Sequence, residues 1–188
     1  NSGGGVTLLV PVVAARVNLF TGNLNGTSNL TVGDGTAIFF VIQIGTTGNT
    51  GTSGSLASAP AFNIGSGALQ LVYAPETTAR TIGFEIPTAR TVDVVLIANP
   101  AGVILAGGNL TISGVSDGSL ILSSGILTTS AANTVVLGPN AGAIPTGSAT
   151  SYVKGPLGIT VNSATAVART FAVGDAAGWR PVVVAGIT

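Results

Sequence analysis

The chain has 188 residues, six cationic and six anionic, with a formal net charge of zero, and only 6% of it is charged. An ordinary soluble domain carries roughly 25%, so capture of nucleic acid by clustered Lys and Arg is excluded. The absence of His and Cys likewise excludes imidazole triads, disulfide staples and redox thiols.

With 46% hydrophobic residues, 28 Gly and a mean hydropathy of +0.66, the chain has ample apolar material for a core. That material is Val, Ile, Leu and Ala, interrupted by Thr, Ser, Asn and Gly. β-Branched residues favour strands and small polar residues favour tight turns, so the fold class expected is all-β. Residues 1–5 read as a flexible leader. They show no initiator Met and no signal-peptide pattern, so any secretory signal is expected to have been removed already.

Residues 6–19 read as one apolar strand or arm. The apolar run 6–15 is about half the roughly 20 residues a bilayer span needs, so no membrane span is expected. Its Val6, Leu8, Leu9, Val10, Val12, Val13 and Val17 are the candidate subunit-contact positions. After turn-rich residues 21–28 come strands at 29–33 and 36–44, the second apolar enough to be buried on both faces. Residues 45–67, rich in Gly, Thr and Ser, read as a mobile loop or surface arm. They lack the Lys of a phosphate loop and open no helix. Strands resume at 68–73 and 81–86.

From residue 91 short apolar strands recur between Gly, Asn and Ser turns, at 92–97, 103–105, 109–114, 119–125, 126–129 and 133–138. The spacings are too short for helical crossovers and suit a parallel β-solenoid, or β-helix. In such a fold inward Leu, Ile and Val stack on one another while Gly and Asn take corners that need positive φ. Hairpins of a β-sandwich would produce a similar string, and that fold is the alternative. The last segment concentrates aromatic and charged residues, as expected of an element covering an open core end. The organisation expected is therefore a β-rich region over 1–90, a solenoid-like region over 91–157 and a cap or transition element over 158–188.

The string Ser151-Tyr-Val-Lys-Gly-Pro-Leu157, with Arg169-Thr-Phe-Ala-Val-Gly174 and Trp179-Arg-Pro-Val182 after it, resembles a pattern of large secreted surface proteins of Bacteroidota, often exported by the type IX system. Residues 99–105 are similar to the usual coil of that family. The resemblance covers about residues 91–182. Ala172 stands where Pro is usual and Trp179 where Tyr is common. The β-sandwich and sorting domain into which members usually continue are not among these residues. The resemblance implies a secreted, extracellular or cell-surface role as a stalk or adhesive scaffold, and no particular activity.

The acids are Asp34, Glu76, Glu85, Asp93, Asp117 and Asp175. Glu85 and Asp93, with Arg80 and Arg90 nearby in sequence, are the one set that could form a glycosidase-like carboxylate pair. A structural ion-pair network accounts for them more simply. Asp34 and Asp117 each precede Gly, a turn signal, without the several oxygen ligands that Ca²⁺ requires. No catalytic residue, cofactor or metal ligand is expected. Asn25, Asn29 and Asn109 open glycosylation sequons and are the candidate glycan sites. Ser and Thr are abundant enough to carry O-glycans, but the regular Thr ladder of an ice-binding face is missing. Arg16, Arg80, Arg90, Arg169 and Arg180 are expected in subunit contacts.

Two roles are expected, both non-enzymatic. One is a structural subunit of an extracellular filament or surface assembly, polymerising head-to-tail by β-strand addition of 6–19 to another copy. The alternative is a stalk or scaffold module of a cell-surface adhesin or carbohydrate-binding protein, with glycans or cell-surface components as further partners.

Overall fold

The computed structural model describes residues 5–36, 39–45, 54–114, 120–139 and 146–187. Residues 46–53 of the expected loop, and Asp117, lie outside them. Within the described residues the regular structure is all strand apart from one short 3-10 turn at Thr27–Asn29. No helix there is long and apolar enough to cross a membrane.

The strands fall into successive circuits. The first runs β1 (Val6–Thr7), β2 (Val12–Ala14) and β3 (Arg16–Leu19), and the second β4 (Leu24–Asn25), β5 (Leu30–Val32) and β6 (Phe39–Ile44). The third begins at a parallel bridge from Leu56 to Leu24 and continues through β7 (Ala61–Phe62) and β8 (Ala68–Tyr73). Then come β9 (Arg80–Thr81), β10 (Thr91–Val92) and β11 (Val94–Ile97), followed by β12 (Val103–Ile104), β13 (Leu110–Ile112) and β14 (Leu120–Leu122). The remaining strands are β15 (Leu127–Thr128), β16 (Val135–Leu137), β17 (Val153–Lys154), β18 (Leu157–Ile159), β19 (Val167–Phe171), β20 (Val173–Asp175), β21 (Gly178–Trp179) and β22 (Val182–Ile187).

From β1 to β18, and again at β20, each strand pairs in parallel with its equivalent one circuit away. One sheet, β3-β6-β8-β11-β14, runs through both halves of the chain, while β9-β12-β15-β17-β20 and β10-β13-β16-β18 form the other two faces of the later circuits. Along the first of these later faces Arg80, Val103, Leu127, Val153 and Val173 stand side by side, at intervals of 23, 24, 26 and 20 residues. Among the described residues, antiparallel strand pairing is confined to β20 with β21 and β19 with β22. This is unlike the hairpin meander that a β-sandwich needs.

The register aligns inward side chains into apolar columns. Val17, Ile42, Leu71, Val95 and Leu120 form one, and Leu19, Ile44, Tyr73 and Ile97 run beside it. All nine are buried. Each such side chain contributes roughly 1.5–3 kcal/mol when removed from water, so the columns dominate the stability of the fold. Outward positions of this sheet's first two strands include polar groups: Arg16 donates to Asn18 at 3.0 Å and to Gln43 of the next circuit at 2.8 Å. Corners turn tightly. Gly125 has φ +85, and a Cβ there would collide with the Asn99 carbonyl oxygen, so only Gly fits.

Several expectations change. Residues 6–19 are not a single strand or a free arm. Pro11, which lacks an N–H, falls between β1 and β2, and all three short strands pair within the chain. Residues 37 and 38 of the strand expected over 36–44 lie outside the described residues, and from Phe40 on it is not buried on both faces, because Phe40, Ile42 and Ile44 point inward while Val41 and Gln43 are half-exposed. Residues 54–67 are built into the third circuit through Leu56 and β7 rather than forming a loop. The strand expected over 81–86 ends at Thr81, since Glu85 turns inward. Near residue 90 two faces start afresh, whereas the third runs on without a break from β8 to β11.

Leu71→Ala, inward in the central strand β8, is expected to cost about 2–5 kcal/mol in urea denaturation. Val72→Ala, its outward neighbour, should cost about 1 kcal/mol or less. Equal losses would contradict the assigned inward and outward faces.

Candidate functional site: the C-terminal cap and the buried acids

The distinctive string at 151–157 builds the end of the stack. The Ser151 side chain is buried and its hydroxyl donates to the Gly125 carbonyl at 3.0 Å, one circuit back. Tyr152 is buried too, and its hydroxyl donates to the Asp175 carbonyl at 3.2 Å, one circuit forward. Val153 stands in its column between Leu127 and Val173. Gly155 lies at φ +120 against Thr129, whose hydroxyl donates to the Pro156 carbonyl at 2.8 Å. Gly174 lies under the Tyr152 ring: a Cβ there would come within 2.6 Å of Cε2 and would also strike the Gly178 carbonyl oxygen. Ala172 is fully buried against Gly147, and Trp179 closes the same corner.

Beyond β20 the chain reverses. The Asp175 carboxylate accepts the Ala177 N–H at 2.7 Å and pairs with Arg180 at 3.1 Å. The Ala177 bond first, and Arg180 after it, hold its carboxyl below the usual range. The pair is solvent-exposed and adds little stability. It shapes the turn from which β21 returns antiparallel to close the face. An apolar groove of about 460 Å³ remains between Leu157, Val173 and Gly174 on one side and Phe171, Val182 and Val184 on the other.

The acids expected to form one network are separated by the fold. Glu85 is buried and accepts the Tyr73 hydroxyl at 2.8 Å and the Gly83 N–H at 3.0 Å through the same oxygen. Burial first, and the Glu85 charge second, push the Tyr73 hydroxyl well above the ordinary phenol range. Asp93 has other partners. One of its oxygens accepts the Leu69 N–H at 2.8 Å and the other the Ser113 hydroxyl at 2.7 Å, so this carboxylate staples the circuit before it to the circuit after it. Arg80 lies 3.8 Å from Glu76 and donates to the Gly54 carbonyl at 2.6 Å. Arg90, held at φ +52, donates to the Ala106, Gly108 and Asn109 carbonyls. Asp34 accepts the Thr36 N–H at 2.8 Å, as an Asp in a turn does. In each case the charged group satisfies backbone that the ladders leave unpaired, which is structural work.

The remaining candidates distribute unevenly. Val6, Leu9, Val10 and Val13 are exposed, Leu9 at 84%, whereas Leu8 and Val12 are half-buried. Val17 is corrected out of the contact set because it points into the core column. Strands β1, β2 and β3 each stand at the end of their sheets, so among the described residues the first circuit has an edge without a strand partner on every face. Asn25 lies half-buried in β4, the Asn29 amide donates to the Leu8 carbonyl at 2.9 Å, and Asn109 is exposed while its side-chain oxygen accepts the Thr134 N–H at 2.9 Å. Arg16 sits on an outer face, and Arg169 bonds the neighbouring Ala168 carbonyl at 3.1 Å.

Two residues went unnoticed in the sequence. Asn99 is fully buried, donates to the Thr78 carbonyl at 3.0 Å and accepts the Ala101 N–H at 3.0 Å. Asn133 accepts the Gly108 N–H at 2.7 Å. The Asn-Pro-Ala-Gly turn signal marks the first, but nothing local marks the second. Comparison with protein-family models, with curated proteins and with solved structures returns no match.

Gly174→Ala is expected to lower stability by about 1–3 kcal/mol through overpacking against Tyr152. Tyr152→Phe should lower it by about 0.5–1.5 kcal/mol. Thermal unfolding checks both, and an unchanged midpoint for Gly174→Ala would contradict the clasp.

Because the Tyr73 pKa is raised on folding, its contribution is full below the unfolded value of about 10 and is lost as pH rises above it. Stability is thus expected to fall on the alkaline side, and Tyr73→Phe should flatten that fall in urea titrations at successive pH values. An identical alkaline slope in the variant would contradict the assignment.

Proposed function

We propose that the chain is a structural module of an extracellular or cell-surface protein, a stretch of parallel β-solenoid that serves as stalk or scaffold and has no catalytic role. The observation that carries this reading is the circuit-on-circuit register, with Arg80, Val103, Leu127, Val153 and Val173 in one row. Such stacking makes a rod whose length scales with the number of circuits. Two further observations support it. The acids and the distinctive C-terminal string serve corners and cap, leaving the grooves lined mainly by apolar and small residues. The string that resembles Bacteroidota surface proteins closes the last circuit, a position suited to the junction between a stalk and a neighbouring module. With so few charges, the outer faces suit a crowded surface layer or a glycan coat.

The unpaired edges of β1, β2 and β3, with exposed Leu9, Val10 and Val13, favour a second reading: a filament subunit that adds copies head-to-tail at its first circuit. The stalk takes precedence because the two ends are unlike. The face ending in β20 is closed by antiparallel β21, so a copy's parallel first circuit would meet a strand already turned back on itself.

Negative-stain microscopy of the purified chain separates the two. The stalk reading expects short discrete particles at all concentrations. Long uniform fibres would overturn it in favour of the filament, and deletion of residues 1–19 should then abolish those fibres.

A further inference from the structure

Asn-x-Thr sequons open at Asn25, Asn29 and Asn109, and the fold treats them differently. N-glycosylation replaces one hydrogen of the Asn Nδ2 with a sugar and leaves the side-chain oxygen free to accept. The folded chain therefore accommodates it only where Nδ2 faces open space. Asn25 does not meet that condition. A Cβ on Gly5 would lie 2.7 Å from Asn25 Nδ2, so this amide is packed on first-circuit backbone. Thr27 of the same sequon is fully buried, with its hydroxyl bonded to Ser58. Asn29 is half-buried, and its Nδ2 donates to the Leu8 carbonyl at 2.9 Å, again between the first and second circuits. A sugar at either position would have to enter a packed interior, which has no spare volume.

Asn109 is the opposite case. It is exposed at the corner before β13, and Gly107 and Gly108 ahead of it carry no side chain to crowd a sugar. Its Oδ1 accepts the Thr134 N–H at 2.9 Å, which holds the amide plane while Nδ2 has no partner among the described residues. Thr111, which completes the sequon, is half-exposed beside Thr91 on the outer face. We propose that Asn109 is the N-glycan acceptor of this chain. In the transfer Nδ2 attacks the anomeric carbon of a polyprenyl-diphosphate-linked oligosaccharide. The N–C bond forms as the C–O bond to the diphosphate breaks, Nδ2 gives up one proton, and the lipid diphosphate leaves. The Thr134 bond survives, because the oxygen that accepts it is not consumed. The glycan then hydrates an outer surface that has few charges of its own. The proposal takes its setting from the extracellular reading above and is indifferent to the choice between stalk and filament.

The full chain, led by a supplied signal peptide into the secretory route of a glycosylating eukaryotic cell, tests the acceptor wherever the chain natively resides. Peptide mass mapping of the secreted, folded fraction, before and after glycan removal, is expected to find sugar on Asn109 and none on Asn25 or Asn29. Asn109→Gln should abolish the glycan mass, whereas Asn25→Gln and Asn29→Gln should leave it unchanged. If Asn109→Gln fails to fold for want of the Thr134 bond, Thr111→Ala removes the sequon while keeping Asn109, and should abolish the glycan equally. Sugar on Asn25 or Asn29 in the folded fraction, or a folded secreted chain bare at Asn109, overturns the proposal. Recovery of the native chain from the cell interior would instead overturn the extracellular reading and leave the acceptor result standing.

Discussion

The in-register parallel ladder between successive circuits is the constraint on which everything else in this structure rests. Parallel pairing sets each residue beside its equivalent roughly 4.8 Å away along the stack, so an inward position in one circuit is inward in all of them. A single polar side chain in a column would face apolar neighbours above and below. That requirement accounts for the run of Val17, Ile42, Leu71, Val95 and Leu120, and for the low charge of a chain in which much of each circuit is either column or corner. Among the described residues Asp34, Glu85, Asp93, Arg80 and Arg90 meet backbone groups that the ladders leave without partners, while Arg16 lies on an outer face.

Those corners explain how a chain rich in Asn, Thr and Ser avoids buried unsatisfied backbone. Asn99, Asn133, Thr129 and Asp93 each join one circuit to a neighbour by side chain to backbone bonds. A carboxylate withdrawn from solvent is tolerable when its oxygens are satisfied, and half-buried Asp93 meets that condition with Leu69 and Ser113. The same logic governs the last circuit. Tyr152, lodged against Gly174 and bonded to Asp175, ties the final strands to the column of Val153. The stack therefore has two different ends: one clasped and closed by a hairpin, one with a bare edge on each face.

Much of this was legible in the residues, and the rest was hidden for identifiable reasons. The strands at 103–105, 109–114 and 133–138 are bracketed by Gly and Asn, so their short period was plain. The earlier circuits obey the same geometry but disguise it. In β6 the outward Val41 is apolar like its inward neighbours Phe40 and Ile42, which mimics a strand covered on both sides. Around Pro11 a continuous apolar run conceals three short strands. Residues 81–86 alternate like a strand, yet Glu85 turns inward to meet Tyr73 twelve residues away in sequence, a contact no local pattern displays. The cap string stood out by composition. Its work became visible only once Gly174 was seen beneath the Tyr152 ring, because that packing depends on residues 22 positions apart.

The central claim is that equivalent outward residues climb the stack one strand spacing at a time. Asn18, Gln43, Val72, Leu96 and Ile121 occupy one such row. Spin labels at Asn18 and Ile121, four spacings apart, should therefore give a single narrow pulsed-dipolar distance near roughly 19 Å, broadened only by the label linkers. A broad distribution, or a separation beyond about twice that spacing-derived value, would contradict the stacked circuits and the scaffold built on them.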